Sequence, residues 1–407
     1  MKNSRFRPLW WLALVSVLAA YLWMVAGLRQ KILEGRMDFT AFYTGARLVA
    51  DGRGADLYDA RVQAEYQRNF AGRQTPLLFN HPPFELVLLL PLAWLPFPHA
   101  YAAWMGVNLA LLVWLACLRH PYTRQFPYLR GLPTLVAAAA LFPVAWAMMQ
   151  GQDSIPLLLL FALAWIALRR GQPFRAGCFL ALGLFKFQLV VPFMVALIVR
   201  RMWPAVRGFV LTGAALAAVS ALLVGWTGLW RYVEFLQGIN QSLAYGAIRP
   251  VAMPNVRGAV TMSVGTVLPA PWPTVLIASL SLLLLILAAR KWPRAEDAAD
   301  ARLDLAFALN LMVSLLVSYH LNPHDLALLF LAMALVAQHL AATRGERRWS
   351  RTALLASMVV LYVPTLYVPE GMRLPHPMFW LLLLLTIGLA AETSRQRPQE
   401  TNQPHGS

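Results

Sequence analysis

The sequence predicts an all-α polytopic membrane protein, a helical bundle of about 12 transmembrane or half-transmembrane helices with two amphipathic outer loops. Three observations predict it. Apolar residues make up 59% of the 407 and charged residues only 13%, with a mean hydropathy of +0.55; water-soluble domains carry about twice that share of charge. Hydrophobic runs recur along the whole chain. The arginines sit in short clusters between those runs rather than along one face. The formal net charge of +17 therefore reads as positive-inside topology, not as a nucleic-acid surface. Cys117 and Cys178 lie inside apolar runs, which gives neither a disulfide framework nor metal-ligand spacing.

In chain order, Lys2, Arg5 and Arg7 place the N-terminus in the cytoplasm. Helix 1, at 9–28, crosses outward; it lacks a small-x-small cleavage site and reads as a retained helix. The first outer loop, 29–83, follows. Phe39, Phe42, Tyr43, Ala46 and Ala50 share one helical face, and Gly52 and Gly54 end that run. A second short helix is expected from Asp56 to about Phe70, so the loop is two amphipathic helices at the membrane surface. The run 84–97 is too short to span and holds Pro91 and Pro96; it is expected to be re-entrant or to lie on the outer surface.

Helix 2 (99–118) then enters the cytoplasm, helix 3 (132–148) goes out to a polar turn at 149–154, and helix 4 (155–168) returns. The segment 176–199 has Arg175 before it, Arg200 and Arg201 after it, and Lys186 in the middle. Two half-helices meeting at Lys186 keep both clusters inside; a single tilted helix with a snorkelling lysine is the other reading. A lysine at the centre of a lipid-exposed span costs roughly 2.5–3.5 kcal/mol, which favours the hairpin. Helix 7 (206–226) goes out to a second outer loop, 227–273, that begins with an amphipathic piece. Helices 8 to 12 are expected at 274–289, 303–319, 326–340, 352–368 and 377–391. The chain thus divides into 1–226, 227–391 and a disordered cytoplasmic tail, 392–407, with both termini inside.

This assignment gathers the unusual polar residues on the outer side: Asp38, His81, Gln150, Gln152, Asp153, Lys186, His320, Asn322, His324 and Asp325. Singly, each has an ordinary explanation. His81 before Pro82 and Pro83 fixes a turn, and His320, His324 and Asp325 cap a helix. The set is harder to dismiss: a carboxylate at the first exit from the lipid, a mid-span lysine and a His-Asp turn, all at one face. A His/Asp metal site is conceivable but poorly specified, since no ligand pair has helical i, i+4 spacing on a defined face with a carboxylate opposite.

The pattern Asp38-Phe-x-x-Phe-Tyr-x-x-Ala-Arg, with Gly52, Leu57-Tyr58-Asp59, His81-Pro82-Pro83-Phe84 and Pro91-Leu-Ala-x-Leu-Pro96, resembles glycosyltransferase family 87. Gly151-Gln152, Ala176-Gly177 with Lys186, and His324-Asp325 match as well. The resemblance spans about 30–340 and implies a GT-C-type membrane enzyme. Its donor is expected to be a polyprenyl-phosphate sugar, most simply mannose, and its acceptor a hydroxyl of a glycolipid or glycan. Asp38 is implied as general base in an inverting transfer, and Lys186 and His324 as binders of the donor phosphate. Tyr43, His81, Gln152, Asp153, His320 and Asn322 are expected to line the sugar or acceptor pocket. No cofactor or metal is expected. The partners are donor, acceptor and lipid bilayer, without nucleic acid. The location implied is the plasma (inner) membrane, with the active site on the periplasmic or extracellular face. Intramembrane charge and broken helices also suit a flippase or transporter of a lipid-linked sugar; the carboxylate just outside helix 1 favours the enzyme.

Overall fold

The computed structural model describes residues 7–71, 76–118, 131–238, 250–293, 302–343, 349–367 and 375–395. They are mostly helical, and no strand occurs among them. α1 (Arg7–Leu33) leads into α2 (Phe39–Ala50) and α3 (Ala60–Ala71). A broken segment follows, containing one four-residue turn, α4 (Leu86–Leu89), and then α5 (Phe97–Cys117). α6 (Leu132–Ala140), α7 (Phe142–Gln150), α8 (Ser154–Arg169), α9 (Pro173–Leu182), α10 (Phe187–Val199) and α11 (Trp203–Gly238) complete the first part. α12 (Val256–Val264), α13 (Trp272–Lys291), α14 (Arg302–Val317), α15 (Leu329–Ala342), α16 (Trp349–Val360) and α17 (Pro377–Arg395) form the rest. By length and composition seven helical stretches can cross a membrane, or up to eight if the bent pair α6/α7 counts as one.

The first loop is two helices, α2 and α3, as its periodicity predicts. α2 buries Phe39, Phe42, Tyr43, Ala46 and Leu48 in an aromatic core with Phe79, Phe97 and Tyr101. The segment 83–94 is too broken to span: Leu86, Leu89 and Ala93 are buried, while Val87, Leu88 and Trp94 stay exposed. The larger core runs through α7, α8, α10, α14 and α15, and α14 is buried on all sides.

The expected straight helix 132–148 is instead bent by 75° between α6 and α7. Leu141 is extended (φ −72°, ψ 121°) and Pro143 sits in the first turn of α7. Proline has no N–H to return to the carbonyl four residues back, that of Ala139. The Tyr21 hydroxyl of α1 donates to that carbonyl at 2.9 Å, and Tyr362 donates to Ala137 O at 3.1 Å. A freed carbonyl in an apolar bundle needs such a donor, since no water supplies one.

By length alone 173–199 is one 27-residue span, yet the packing folds it back. Gly177 and Gly208 meet backbone directly; a Cβ on Gly177 would strike the Ala205 carbonyl, and one on Gly208 the Phe174 carbonyl. The start of α9 therefore lies beside the start of α11, only a few residues after the end of α10. A straight helix would hold residues 174 and 200 about 39 Å apart. The chain reverses at Lys186, whose backbone leaves the helical region (φ −116°, ψ 58°). The hairpin puts the lysine at its tip.

α11 breaks at Gly225 (φ 66°, ψ 179°) and continues as the amphipathic piece expected after 227. Arg231 there donates to Asp56 Oδ1 at 2.7 Å and binds this piece to the turn between α2 and α3. The expected tail boundary moves: α17 continues to Arg395, and Glu392 is buried, accepting from Ser350 Oγ at 2.9 Å. The remainder of the expected tail, 396–407, lies outside the described residues, as do Asn240, Gln241 and Arg249 of the second outer loop.

Candidate active site

The turn 149–153 is the hub of the polar cluster. Two α5 side chains hold it: Tyr101 Oη donates to Met149 O at 2.6 Å and Trp104 Nε1 to Gly151 O at 2.9 Å. Gly151 is left-handed (φ 64°), and a Cβ there would lie 2.6 Å from Phe39 Cβ. Only glycine lets this turn approach the start of α2 so closely. Gln150 and Gln152 use that approach. Gln150 Oε1 accepts from Asp38 N at 3.2 Å, and Gln152 Nε2 donates to Asp38 Oδ2 at 2.8 Å. Asp38 is half-buried at the mouth of the cluster, and among the described residues it is the one cluster carboxylate without an ion pair.

The next residue, Asp153, faces inward. Its Oδ1 lies 2.9 Å from Lys186 Nζ and its Oδ2 lies 3.1 Å from His81 Nδ1. These contacts have ion-pair distances but miss hydrogen-bond angles, so neither oxygen has a well-directed donor. Lys186 Nζ also contacts Asp325 Oδ1 at 2.5 Å and Ser154 Oγ at 3.2 Å. Asp325 Oδ2 accepts from Asn322 N at 2.8 Å, the return half of a capping box at the turn before α15. His324 Nε2 is 3.6 Å from Asp325 Oδ1, and His324 also lies within electrostatic reach of Asp38 and Lys186. Asn322 Nδ2 lies 2.9 Å from His320 Nε2. If Nε2 accepts that amide hydrogen, Nδ1 carries the ring proton, and Nδ1 is buried without a partner.

Charge shapes the cluster. Burial alone would push His81 down, but the Glu85 and Asp153 carboxylates outweigh it and hold the imidazole up at about 10. Burial would likewise raise Asp153; the Lys186 ammonium and His81 outweigh that and keep it well below the usual carboxylate range. His320 goes the other way. Burial holds its imidazole down at about 4 against the pull of Asp325, with His324, Lys186 and Arg257 adding to the depression.

One chain of contacts thus joins Asp38, Gln152, Asp153, Lys186, Asp325 and Asn322, with His81, His320 and His324 on its flanks. Tyr43 stands apart from it. Its hydroxyl donates to Leu95 O at 2.7 Å and its ring packs on Phe70 and Phe97 at 5.0 and 5.4 Å. It braces the broken segment 83–94 and does not line the cluster. Lys186, expected to face a phosphate, is 2% exposed and already shared between two carboxylates. Glu85 was not anticipated from the sequence: its Oε2 is 2.7 Å from His81 Nδ1. The i, i+4 spacing of His81 and Glu85 was its only signal, and Pro82-Pro83 between them disguised it as a plain turn.

The family model for glycosyltransferase family 87 matches residues 79–318, more than half of the chain. The chain belongs to glycosyltransferase family 87. It is therefore a membrane glycosyltransferase, integral to a lipid bilayer through its apolar helices. The matched region contains His81, Glu85, Gln152, Asp153 and Lys186; Asp38 precedes it, and His320, Asn322, His324 and Asp325 follow it. No curated protein and no solved structure matches the chain.

Proposed function

We propose that this glycosyltransferase moves a sugar, mannose first among the candidates, from a polyprenyl-phosphate donor to an acceptor hydroxyl of a glycolipid or glycan. The transfer takes place at the periplasmic or extracellular face of the plasma (inner) membrane and inverts the anomeric configuration. Asp38 is the general base. The supporting observation is its isolation: Glu85, Asp153 and Asp325 are each tied to a cation, whereas Asp38 is held only through Oδ2 by Gln152. A carboxylate with one oxygen fixed and the other open is oriented to take a proton from an attacking hydroxyl. Attack from the side opposite the departing phosphate gives inversion.

The leaving polyprenyl phosphate gains negative charge and needs donors. His320 Nδ1 is a buried donor without an acceptor, and His324 lies beside it. The Arg257 guanidinium stands 4.0 Å over the Tyr319 ring and donates to Tyr319 O at 2.9 Å, adding positive charge at the same turn. Lys186 acts through Asp153 and Asp325, holding the 150–154 and 322–325 turns at a fixed separation. Gln152 and Asn322 supply polar contacts for the sugar, with His81 and Asp153 behind them.

The test uses purified protein and a polyprenyl-phosphate mannose donor, with released polyprenyl phosphate and glycosylated acceptor as readouts. Asp38→Asn is expected to lose roughly 10²–10⁴-fold in transfer with its thermal midpoint unchanged. Full transfer by that variant removes Asp38 as the base. Movement of the donor across vesicles without bond cleavage would favour a transporter.

A further inference from the structure

Beside Asp38 lies a group that the proposed transfer uses only as support behind the sugar contacts. His81 and Glu85 stand four residues apart around the turn at Pro82 and Pro83, and Asp153 faces them from the loop between α7 and α8. His81 Nδ1 is 2.7 Å from Glu85 Oε2 and 3.1 Å from Asp153 Oδ2, and one donor atom from each residue lies within 4.8 Å of the others. Asp153 is 2% exposed, yet neither carboxylate oxygen accepts a well-directed hydrogen bond. A buried carboxylate left this way points to an ion as its missing partner.

We propose that His81 Nδ1, Glu85 and Asp153 Oδ2 bind one first-row divalent cation of the Zn²⁺ or Mn²⁺ class. One imidazole nitrogen and two carboxylates suit those ions better than Mg²⁺, which prefers oxygen alone, or Cu⁺, which prefers sulfur. Ligand atoms around such an ion sit about 3.0 Å apart when cis in an octahedron and about 3.4 Å apart in a tetrahedron, for bonds of about 2.1 Å. Of the two separations from His81 Nδ1, that to Asp153 Oδ2 (3.1 Å) already fits the octahedral value, and that to Glu85 Oε2 (2.7 Å) must open by about 0.3 Å. Asp153 would then bridge the ion through Oδ2 and Lys186 through Oδ1. The ion would pin the segment after α3 to the turn that carries Gln152, independently of whether the chain transfers a sugar.

The test is made on the full chain purified in detergent, stripped with EDTA and dialysed against Zn²⁺ or Mn²⁺. Metal is measured per chain by mass spectrometry, with the thermal midpoint recorded alongside. The expected result is about one ion per chain and a higher midpoint on loading. Glu85→Gln and His81→Gln are expected to lose the ion and the shift. His81→Lys, which keeps a cation between the carboxylates without a ligand nitrogen, is expected to fold and bind no ion. Wild-type protein that retains neither ion, or variants that retain as much as wild type, would overturn the proposal. If the variants fail to fold, Mn²⁺ titration of wild type followed by electron paramagnetic resonance decides: a bound signal with nitrogen coupling supports the site, and free aquo-Mn²⁺ alone sinks it.

Discussion

Two buried ion-pair clusters sit at opposite ends of the bundle, and they are built differently. At the end away from Asp38, Arg169 meets Asp304 in a two-pronged contact, Nη2 to Oδ2 at 2.6 Å and Nε to Oδ1 at 2.7 Å. Trp165 Nε1 adds a third donor to Oδ1 at 2.8 Å. Oδ1 accepts two directed hydrogen bonds, and Oδ2 is held at ion-pair distance by the same planar guanidinium. At the other end Lys186 is a point charge serving Asp153 and Asp325, and both Asp153 oxygens lack directed donors. Gln152 Oε1 and His320 Nδ1 are also without partners there. The saturated cluster is a strut. The unsaturated one leaves hydrogen-bonding capacity unused.

The largest effect that can break this comparison comes from cutting each cluster. Asp304→Ala removes the buried carboxylate that Arg169 and Trp165 share and is expected to cost about 3–5 kcal/mol. The double replacement Arg169→Met with Asp304→Leu should recover most of that, with transfer per folded molecule unchanged, because a saturated strut can be exchanged for apolar packing. Lys186→Met should destabilise similarly by leaving Asp153 and Asp325 facing each other, and adding Asp153→Asn should recover stability. Here transfer should stay low. Denaturation midpoints in detergent together with transfer per folded molecule check both arms. If the Lys186 double variant regains transfer as well as stability, the two clusters are the same kind of object.

Much of the fold was legible in the chain. Apolar runs bounded by arginines located the helices. The Arg175, Lys186 and Arg200–Arg201 pattern, weighed against the cost of a charge in lipid, located the hairpin. The bend at Leu141 was missed because Pro143 reads as an ordinary interior proline until Tyr21, more than a hundred residues earlier, is seen to take up the Ala139 carbonyl. The gathering of these polar residues at one end was legible because the order of the helices alone sends them there. Their pairings were not. Sequence spacing gives no sign that Lys186 is divided between two aspartates, that Glu85 closes on His81, or that Tyr43 turns its hydroxyl to Leu95 O. Arg169 likewise read as one more topology arginine, since its partner Asp304 lies 135 residues away.

A smaller effect separates the ends by pH. His320 titrates at about 4 in the folded protein, against the ordinary 6.5 of an exposed imidazole. The unfolded chain therefore takes up a proton below about 6.5 that the folded chain refuses until about 4. Stability falls as pH drops through that window and loses nothing further from this group below it. The group facing His320 includes Asp325, which attracts the proton, and His324, Lys186 and Arg257, which repel it. The loss is at most about 3 kcal/mol, and less where solvent reaches the ring. His320→Gln should flatten the wild-type curve between pH 6.5 and 4, whereas cutting the Arg169–Asp304 strut should lower it without changing its slope there. Parallel curves for wild type and His320→Gln would show that the ring is not held neutral.

The smallest effect is carried by a matched pair of glycines. Gly151 and Gly171 both have φ +64°, one at each end of the bundle. An alanine pays roughly 1–2 kcal/mol for that left-handed backbone at either position. At Gly171 a Cβ meets nothing within 4 Å, so the cost is conformational alone. At Gly151 it would lie 2.6 Å from Phe39 Cβ, so the turn or the start of α2 must give way as well. That movement pulls Gln152 from Asp38 Oδ2, a contact of 2.8 Å with little slack. Gly171→Ala should therefore lose stability and keep full transfer per folded molecule. Gly151→Ala should lose somewhat more stability and about 10-fold or more in transfer, since displacement of a catalytic group by an ångström is costly. Equal transfer by the two variants would mean that the 149–153 turn does not position Asp38, and the contrast between a strut at one end and a working cluster at the other would lose its sharpest support.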